Sequence, residues 1–173
     1  MTRFQNSCDM TFAKALVRQN MTSYYEQYNI VWNDEHFDQT WAEFENIQIL
    51  KDSAKVGFIR LWRKGSVLYI RDLQVSHLHQ GFGIGTMAVK HSINIAKSEN
   101  MKAIKLKVFA GNPAQKLYQR LGFRESMDDG PFIAPAVDRP ERDRNPLQQP
   151  DPLAEAEALN PTDRPVKKKR SGF

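Results

Sequence analysis

A segment with three closely spaced glycines separates a run typical of a β-strand from a run typical of an α-helix. The segment is His79–Thr86, with Gly81, Gly83 and Gly85, and the run before it, Ser66–Val75, is rich in β-branched and apolar residues. The first turn of a helix leaves backbone N–H groups unpaired, and the helix dipole adds partial positive charge there. Glycines let the backbone approach a large anion because they have no Cβ. The sequence therefore predicts a phosphate-binding loop at this point.

The loop does not match the two best-known phosphate motifs. A Walker loop requires Gly-Lys-Ser/Thr after four spacers, and no such lysine follows these glycines. The dinucleotide fingerprint requires two residues before its third glycine, and here there is one. The remaining pattern is Gln80-x-x-Gly83-x-Gly85. The run after it has apolar residues at helical spacing, at Ile84, Met87, Ala88, His91 and Ile95.

A second motif follows the first by about thirty residues. It is Asn112-Pro-Ala-Gln-Lys-Leu-Tyr-Gln-Arg-Leu-Gly-Phe123. Together the two motifs resemble those of the GNAT superfamily of acyl-CoA-dependent N-acyltransferases, namely its pyrophosphate loop, (Arg/Gln)-x-x-Gly-x-(Gly/Ala), and its closing helix, less one spacer. The resemblance covers roughly residues 55–123. It implies an α/β (α+β) fold with a GNAT-like mixed, mainly antiparallel central sheet flanked by helices.

The resemblance also implies acetyl-CoA as co-substrate and assigns residues to it. The loop amides would hold the pyrophosphate, the end of the preceding strand would pair with the pantetheine arm, and Asn112 would anchor that arm. Backbone near Val75 would polarise the thioester carbonyl. The predicted cofactor-binding residues are Leu73, Gln74, Val75, Gln80, Gly81, Phe82, Gly83, Ile84, Gly85, Thr86, Asn112 and Tyr118.

Two residues are predicted to be catalytic. By the resemblance, the Tyr118 phenol lies over the thioester sulfur and protonates or hydrogen-bonds the leaving thiolate. The strand that contains Ile70–Val75 is similar to one in polyamine acetyltransferases, which carry two consecutive acids at this point. This chain keeps the second acid, Asp72, and has Arg71 in place of the first. Asp72 could be the general base or only a neighbour of Arg71 or of a lysine. Lys107 stands where amino-terminal acetyltransferases place a glutamate, and such cations better suit an acceptor bearing a carboxylate or phosphate.

The acceptor side is predicted to lie near the N-terminus. The pattern of residues 9–27 predicts an amphipathic helix. The segment Asn33–Trp41 is predicted to be a second, shorter helix with Asn33 as its N-cap. The aromatic residues between them could simply be core. Alternatively, because GNAT acceptor sites are built from this helical pair, the predicted substrate-contacting residues are Trp32, Asp34, Glu35 and Arg71.

Further strands are predicted on either side of the loop. They are Asn46–Lys51, Lys55–Trp62 and Ser66–Val75, which form an antiparallel meander, and Ala103–Phe109, which places Lys105 and Lys107 on one face. A strand–helix–strand crossover implies one parallel pair. Asn112–Leu121 is a predicted helix, with Pro113 at its start and Gly122 past its end.

Composition divides the chain at about residue 130. Eight of nine prolines lie in 131–173, so we predict a GNAT-like acetyltransferase domain over 1–130 and a flexible Pro-rich tail over 131–173. The tail ends in a basic run, 167–170, which could touch nucleic acid or an anionic membrane but is more often only solvated. The formal net charge of +5 is not decisive for nucleic acid, and we expect no nucleic-acid partner.

Other features point to a cytoplasmic enzyme without metal. A lone Cys8 excludes an internal disulfide, and the N-terminus has no signal-peptide core. No run approaches the ~18 apolar residues of a membrane span. His77 and His79 flank the loop without the spacing of metal ligands. A homodimer is left open.

The leading hypothesis is an N-acetyltransferase that moves an acetyl group directly to a primary amine of a small molecule or peptide. Cys8 lies outside both motifs, so a covalent enzyme intermediate has no evident nucleophile. The alternatives are a non-catalytic acyl-CoA-binding sensor and an RNA- or ribosome-associated protein. The retained Tyr118 argues against the sensor.

Overall fold

The structure is a computed structural model that describes residues 1–126 and 132–135 of the chain. The strands are β1 (Thr2–Gln5), β2 (Glu45–Lys51), β3 (Ala54–Lys64), β4 (Val67–Val75), β5 (Ala103–Lys107), β6 (Phe123–Ser126) and β7 (Phe132–Pro135). They form one sheet, in which β7 lies between β5 and β6 and the other strands follow in sequence order. The α-helices are α1 (Met10–Gln27), α2 (Asp34–Gln39), α3 (Ile84–Ser98) and α4 (Ala114–Arg120), and 3₁₀ helices span Trp41–Glu43 and His77–His79.

The predicted mixed, mainly antiparallel sheet is confirmed. Strands β1 to β4 are antiparallel neighbours, and β4 with β5 is the parallel pair among the described strands. This pair is joined through α3, as the crossover rule requires. Strand β1 was not predicted, because four residues at the terminus of the chain are too short for a periodic signal. Its Phe4 ring stacks on His91 of α3, with 4.2 Å between ring centroids.

Each face of the sheet carries its own core. The larger core lies under α3 and α4 and contains fully buried residues such as Ile59, Leu61 and Ile104. The smaller core lies under α1 and α2 and centres on Phe58 and Phe37. We call these the α3 face and the α1 face. Burial of apolar side chains on both faces is the main stabilising contribution to such a layered fold.

A β-bulge interrupts the pairing of β3 with β4. Arg60 lies opposite Asp72 and Leu61 lies opposite Ile70, so Arg71 is the extra residue of the bulge. Before the bulge, Ile70 points into the core of the α3 face; after it, Leu73 packs on that same core. Asp72 thus points to the α1 face, where its carboxylate meets Arg60.

Local capping explains where the first two helices begin. The Asp9 side chain accepts a hydrogen bond from the backbone N–H of Phe12 at 3.1 Å, and that of Asn33 accepts one from His36 at 2.9 Å. Both are N-caps with extended backbone. The predicted cap at Asn33 is confirmed. In the part of the chain that the structure describes, no helix has the length and apolar character needed to cross a membrane.

The last hairpin extends the sheet beyond the predicted domain boundary at residue 130. Strand β7 pairs with β5 on one side, through Leu106 and Ile133, and with β6 on the other. The strand Phe132–Pro135 therefore belongs to the sheet although composition places it in the tail. The rest of the predicted tail, 136–173, including the basic run 167–170, lies outside the described residues.

Candidate active site

A gap opens in the sheet between the parallel strands β4 and β5. Their pairing runs from Val67 opposite Ala103 to Ile70 opposite Leu106 and stops there. Strand β4 nevertheless continues to Val75, still paired on its other side with β3. Among the described residues, no strand lies on the β5 side of Leu73–Val75. A β-strand edge of this kind can bind an extended ligand by adding it to the sheet.

The glycine loop lies directly after this open edge. Gly81 and Gly83 have φ angles of 82° and 78°, which residues with a Cβ rarely adopt. Gly83 is the N-cap of α3 and supplies no side-chain cap to the helix. The N-cap residue therefore provides no side-chain acceptor for the first backbone N–H groups of α3. These groups lie at the positive end of the helix dipole. The loop fits a pyrophosphate group.

Other predicted loop residues occupy different environments. Ile84 is 2 % exposed and belongs to the core of the α3 face, so only its backbone can face a ligand. Phe82 is 68 % exposed, with the Lys51 ammonium 5.0 Å from its ring centroid. The Gln80 side chain turns back and donates a hydrogen bond to the Val75 carbonyl at 2.9 Å. Thr86 is half-buried in the first turn of α3.

Helix α4 brings Tyr118 to the glycine loop. A Cβ at Gly85 would lie 3.2 Å from a methyl carbon of Leu117, so the start of α3 and α4 are in close contact. The neighbouring Tyr118 is 6 % exposed, and its ring centroid is 5.8 Å from that of Phe123. Burial raises the pKa of Tyr118 to about 12, so its phenol is protonated at neutral pH. It can act as a proton donor there but not as a base.

Asn112 lies at the beginning of α4. Its side-chain oxygen accepts a hydrogen bond from the backbone N–H of Ala114 at 2.9 Å, so it caps the helix. This contact uses the carbonyl side of the amide, and the N–H₂ group remains chemically suited to a carbonyl of the pantetheine arm. Its predicted role as a cofactor ligand stays a prediction.

Asp72 is held by a buried arginine. The carboxylate lies 3.3 Å from Nη1 of Arg60, which is only 4 % exposed. Burial raises the pKa of Asp72 above its usual range, although Arg60 and Arg71 oppose this shift. A carboxyl with a raised pKa is a better proton acceptor near neutral pH. The ion pair also gives Asp72 a structural partner. The sequence left open the alternative that Asp72 is only the neighbour of a cation, and that cation is Arg60.

Aromatic rings surround the partner of Asp72. The Arg60 guanidinium lies 4.5 Å from the ring centroid of Phe37 and 4.3 Å from that of Phe44. It also lies within 3.4 Å of the Thr40 carbonyl. Such cation–π contacts stabilise a guanidinium that is buried away from water. Through Arg60, therefore, Asp72 is connected to α2 and the segment that follows it.

Positive charge is concentrated on this side of the sheet. The bulge places Arg71 next to Asp72, and its guanidinium lies 5.9 Å from the ring centroids of Phe44 and Trp62. Ile104 and Leu106 of β5 are buried in the core of the α3 face. Strand alternation consequently puts Lys105 and Lys107 together on the α1 face, so the prediction that they share one face is confirmed.

The predicted acceptor residues are only partly brought together. The Trp32 indole N–H donates to Oδ1 of Asp34 at 3.0 Å. Asp34 also forms ion pairs with Lys14 and Arg18 of α1, so its carboxylate ties α2 to α1. Glu35 is exposed and accepts a hydrogen bond from Gln39 of its own helix. The geometry thus gives Asp34 and Glu35 partners within the helical pair.

The helical pair does reach strand β4 through aromatic side chains. The ring of Tyr25 lies 5.8 Å from that of Trp32. Burial, and then the charge of Asp72, raises the pKa of Tyr25 well above its usual range, so the phenol and the carboxylate are near each other. Rings on the last turns of α1 also stack on Phe109, which follows β5. Tyr25 therefore connects this aromatic cluster to Asp72.

Sequence reasoning missed two polar residues at the site. Arg60 lies within the apolar run of β3, and a charge inside such a run is a signal that it has a buried partner. Asn20 donates hydrogen bonds to the side chain of Gln74 at 3.0 Å and to the Val75 carbonyl at 3.1 Å. No local pattern distinguishes Asn20 from the other polar residues of α1.

Cysteine and histidine chemistry has little support. Burial raises the pKa of Cys8 to about 12, which leaves its thiol protonated and poorly nucleophilic. His79 forms a hydrogen bond through Nδ1 with the Ser76 hydroxyl at 2.8 Å, and His77 is exposed. Within residues 1–126 and 132–135, no group of three or more His, Cys, Asp or Glu residues has the geometry of a metal site.

Known structures share this architecture at low sequence identity. A GNAT-family acetyltransferase from Staphylococcus aureus Mu50 aligns with a TM-score of 0.64 and 16% identity, over 80% of this chain and 100% of its own. A GNAT-family acetyltransferase from Elizabethkingia anophelis, with acetyl-CoA bound, aligns with a TM-score of 0.62 and 18% identity, over 79% and 98%. The ribosomal-protein-S18-alanine N-acetyltransferase from Escherichia coli aligns with a TM-score of 0.59 and 16% identity, over 84% and 99%.

These likenesses establish the fold, and a family match extends them. No curated protein sequence matches the chain. The sequence profile of the Acetyltransferase (GNAT) family, however, matches residues 13–123, which include the open edge of β4, the glycine loop and Tyr118. The chain therefore belongs to the GNAT acetyltransferase family and is an acyltransferase.

Proposed function

We propose that the protein transfers an acetyl group from acetyl-CoA directly to a primary amine. The observation that carries this proposal is the separation of β4 from β5 after Ile70 and Leu106, beside the uncapped start of α3. An open strand edge suits the amide-containing pantetheine arm, and helix N–H groups suit the pyrophosphate. Of the solved relatives, the one from Elizabethkingia anophelis contains acetyl-CoA.

Asp72 and Tyr118 supply complementary proton chemistry. An amine acceptor with a lysine-like pKa of about 10.4 is protonated at neutral pH and must lose a proton before it attacks. Asp72 accepts that proton, directly or through water. As the new C–N bond forms and the C–S bond breaks, Tyr118 donates its proton or a hydrogen bond to the sulfur. The raised pKa of Asp72 supports its role as a proton acceptor, and the raised pKa of Tyr118 keeps its hydroxyl protonated, so that it can donate a hydrogen bond to the sulfur.

Direct transfer requires no nucleophile from the enzyme. Cys8 is half-buried, and its thiol contacts the backbone carbonyl of Asp9, the N-cap of α1, and the side chain of Gln48 on β2. Its pKa of about 12 leaves almost no thiolate at neutral pH. A covalent acetyl-cysteine intermediate at this residue is therefore disfavoured.

The charges beside Asp72 favour an acceptor that itself carries an anionic group. Asp72 is already paired with Arg60, and Arg71 is its neighbour on the same face of the sheet. Lys105 and Lys107 add positive charge to that face. A polyamine would be repelled by this arrangement, whereas an amine bearing a carboxylate or phosphate would be attracted. A small molecule or a peptide could meet this requirement.

A pair of glycine variants tests the cofactor site. Gly83→Val should abolish acetyl-CoA binding, measured by calorimetry, while circular dichroism shows a folded protein. Gly65→Val is the matched control, because Gly65 also has a positive φ and open space around it but lies in the β3–β4 turn, away from the loop. Unchanged acetyl-CoA affinity in Gly83→Val would remove the proposed site.

The acceptor class requires a separate assay of free-CoA release. A panel should pair each simple amine with an analogue that carries a carboxylate or phosphate, and should include polyamines, amino acids and peptides. We expect the anionic member of each pair to have the higher kcat/KM, with the preference decreasing as salt concentration rises. A clear preference for polyamines would contradict the proposed acceptor class.

A further inference from the structure

Two side chains from different parts of the chain bind one carbonyl at the end of β4. The Val75 carbonyl accepts a hydrogen bond from Asn20 Nδ2 at 3.1 Å and one from Gln80 Nε2 at 2.9 Å. A carbonyl oxygen has two lone pairs, so these two donors satisfy it fully. Asn20 belongs to α1 and Gln80 to the glycine loop. We call this arrangement the Val75 clamp.

The clamp lies where the strand ladder ends. Val75 is opposite Gly57 in the last register pair of β3 with β4, and the chain then turns into the 3₁₀ helix His77–His79. The glycine loop follows that turn. Without an attachment to the strand, the loop could shift relative to the open edge. Gln80 provides this attachment from the loop side, and Asn20 fixes the same carbonyl from the helix side.

Asn20 is held in place by a second buried contact. Its Nδ2 also donates to Oε1 of Gln74 at 3.0 Å, and Gln74 is only 9 % exposed. The Oδ1 atom of Asn20 is buried with no hydrogen-bond partner among the described residues. An unsatisfied buried acceptor costs free energy. A residue kept at such a cost in the middle of an amphipathic helix is better explained by its two donated bonds than by helix packing.

We propose that Asn20 is a positioning residue that sets the geometry of the acetyl-CoA site through the Val75 carbonyl. Asn20 does not itself contact the cofactor. It holds the end of β4 and the glycine loop at a fixed separation. The inference rests on the cofactor site described under Proposed function. It adds a contribution from α1, a helix otherwise assigned to the acceptor side.

The test compares acetyl-CoA affinity in single and double variants. Asn20→Ala should weaken acetyl-CoA binding about threefold to tenfold, the effect of losing one well-placed hydrogen bond, with kcat changed by less than about twofold. Gln19→Ala is the matched control, because Gln19 is the preceding residue on α1 and is exposed. It should leave affinity and kcat unchanged.

A double-mutant cycle distinguishes positioning from general destabilisation. If both donors act through one carbonyl, Asn20→Ala should weaken binding less in a Gln80→Ala background than in the wild type. Two donors on one carbonyl also couple in stability, so the melting temperature of each variant is measured alongside, and weaker binding by a variant that is fully folded at the assay temperature supports positioning. Asn20→Ala leaves a buried Gln74 oxygen unpaired, which is a cost to folding. Asn20→Leu with Gln74→Leu is therefore a second variant, which removes both polar partners. It should fold and still bind acetyl-CoA weakly.

Three outcomes separate the clamp from the site itself. If Gly83→Val abolishes acetyl-CoA binding while Asn20→Ala and the double leucine variant bind within twofold of the wild type, the clamp is wrong and the cofactor site stands. Fully additive effects of Asn20→Ala and Gln80→Ala would also overturn the clamp. If Gly83→Val does not weaken binding, the cofactor site fails first.

Discussion

Nη1 of Arg60 lies 3.3 Å from Oδ2 of Asp72, across neighbouring strands and immediately beside a β-bulge. The arginine is buried, whereas the Asp72 side chain is 22 % exposed. The carboxylate can therefore meet a substrate on one side while it is held on the other. This relationship connects Asp72, the proposed proton acceptor, to the helical segment that packs on Arg60.

Replacing Arg60 should change the pH dependence of the reaction. The nearby cation favours the ionised carboxylate, so its loss in Arg60→Met raises the pKa of Asp72 further. If activity requires ionised Asp72, the acid limb of the kcat profile should move to higher pH by roughly one unit or more. Arg60→Lys should restore much of the wild-type profile. Arg63→Met removes a cation that pairs with Glu99 instead and should leave the limb in place.

Removing the Tyr118 hydroxyl should affect turnover more than binding. Tyr118→Phe keeps the ring that packs near Phe123, so the fold and acetyl-CoA affinity should change little. If the phenol stabilises the departing thiolate, kcat should fall by the ~10²–10⁴ typical of general acid–base groups. Pre-steady-state release of CoA would measure this. Wild-type turnover in the variant would assign Tyr118 to packing alone.

Adding one methyl group at Gly57 of β3 should disturb the open edge of β4, which pairs with β3 on its other side. A Cβ at this position would lie 2.4 Å from the backbone carbonyl oxygen of Gln74, so β3 and β4 would have to move apart. Gly57→Ala should lower the free energy of unfolding by about 1–3 kcal/mol, as overpacking does. Acetyl-CoA affinity should decrease as well. Denaturant titration should show Lys64→Ala, an exposed change on the same strand, within about 0.5 kcal/mol of the wild type.

Two truncations should separate the last hairpin from the tail. A chain ending at Ala136 keeps β7 and, by the composition of the removed segment, should retain its melting temperature and acetyl-CoA affinity. A chain ending at Gly130 loses β7, which pairs with both β5 and β6, and should melt at a distinctly lower temperature. A large loss of stability in the longer variant would show that 137–173 contribute to the folded domain.

Local chemistry explains why much of the fold was predictable. The N-cap at Asn33, the glycine at the start of α3 and the turn past α4 at Gly122 each depend on residues that are close in sequence. Apolar alternation placed Lys105 and Lys107 on one face for the same reason. Such features require no knowledge of distant contacts.

The rest depends on contacts between distant residues. The partner of Asp72 is twelve positions away on another strand, and the bulge that brings them together leaves no trace in composition. The sequence predicts that Asp34 contacts the substrate, but its carboxylate forms ion pairs with Lys14 and Arg18 of α1. Strand β7 follows a proline and precedes a proline-rich segment, so composition hides a strand that only its neighbours specify.

The bulge at Arg71 gives β4 one residue more than its alternation requires. Ile70 and Leu73 both contribute to the core under α3, although they are an odd number of residues apart. Without Arg71 they would be two residues apart, so a regular strand would keep Leu73 and Val75 on the core face and Gln74 on the other. At this point of the gene, therefore, an in-frame deletion of the Arg71 codon should leave a chain that folds, whereas a single-codon deletion in the regular part of the strand should not.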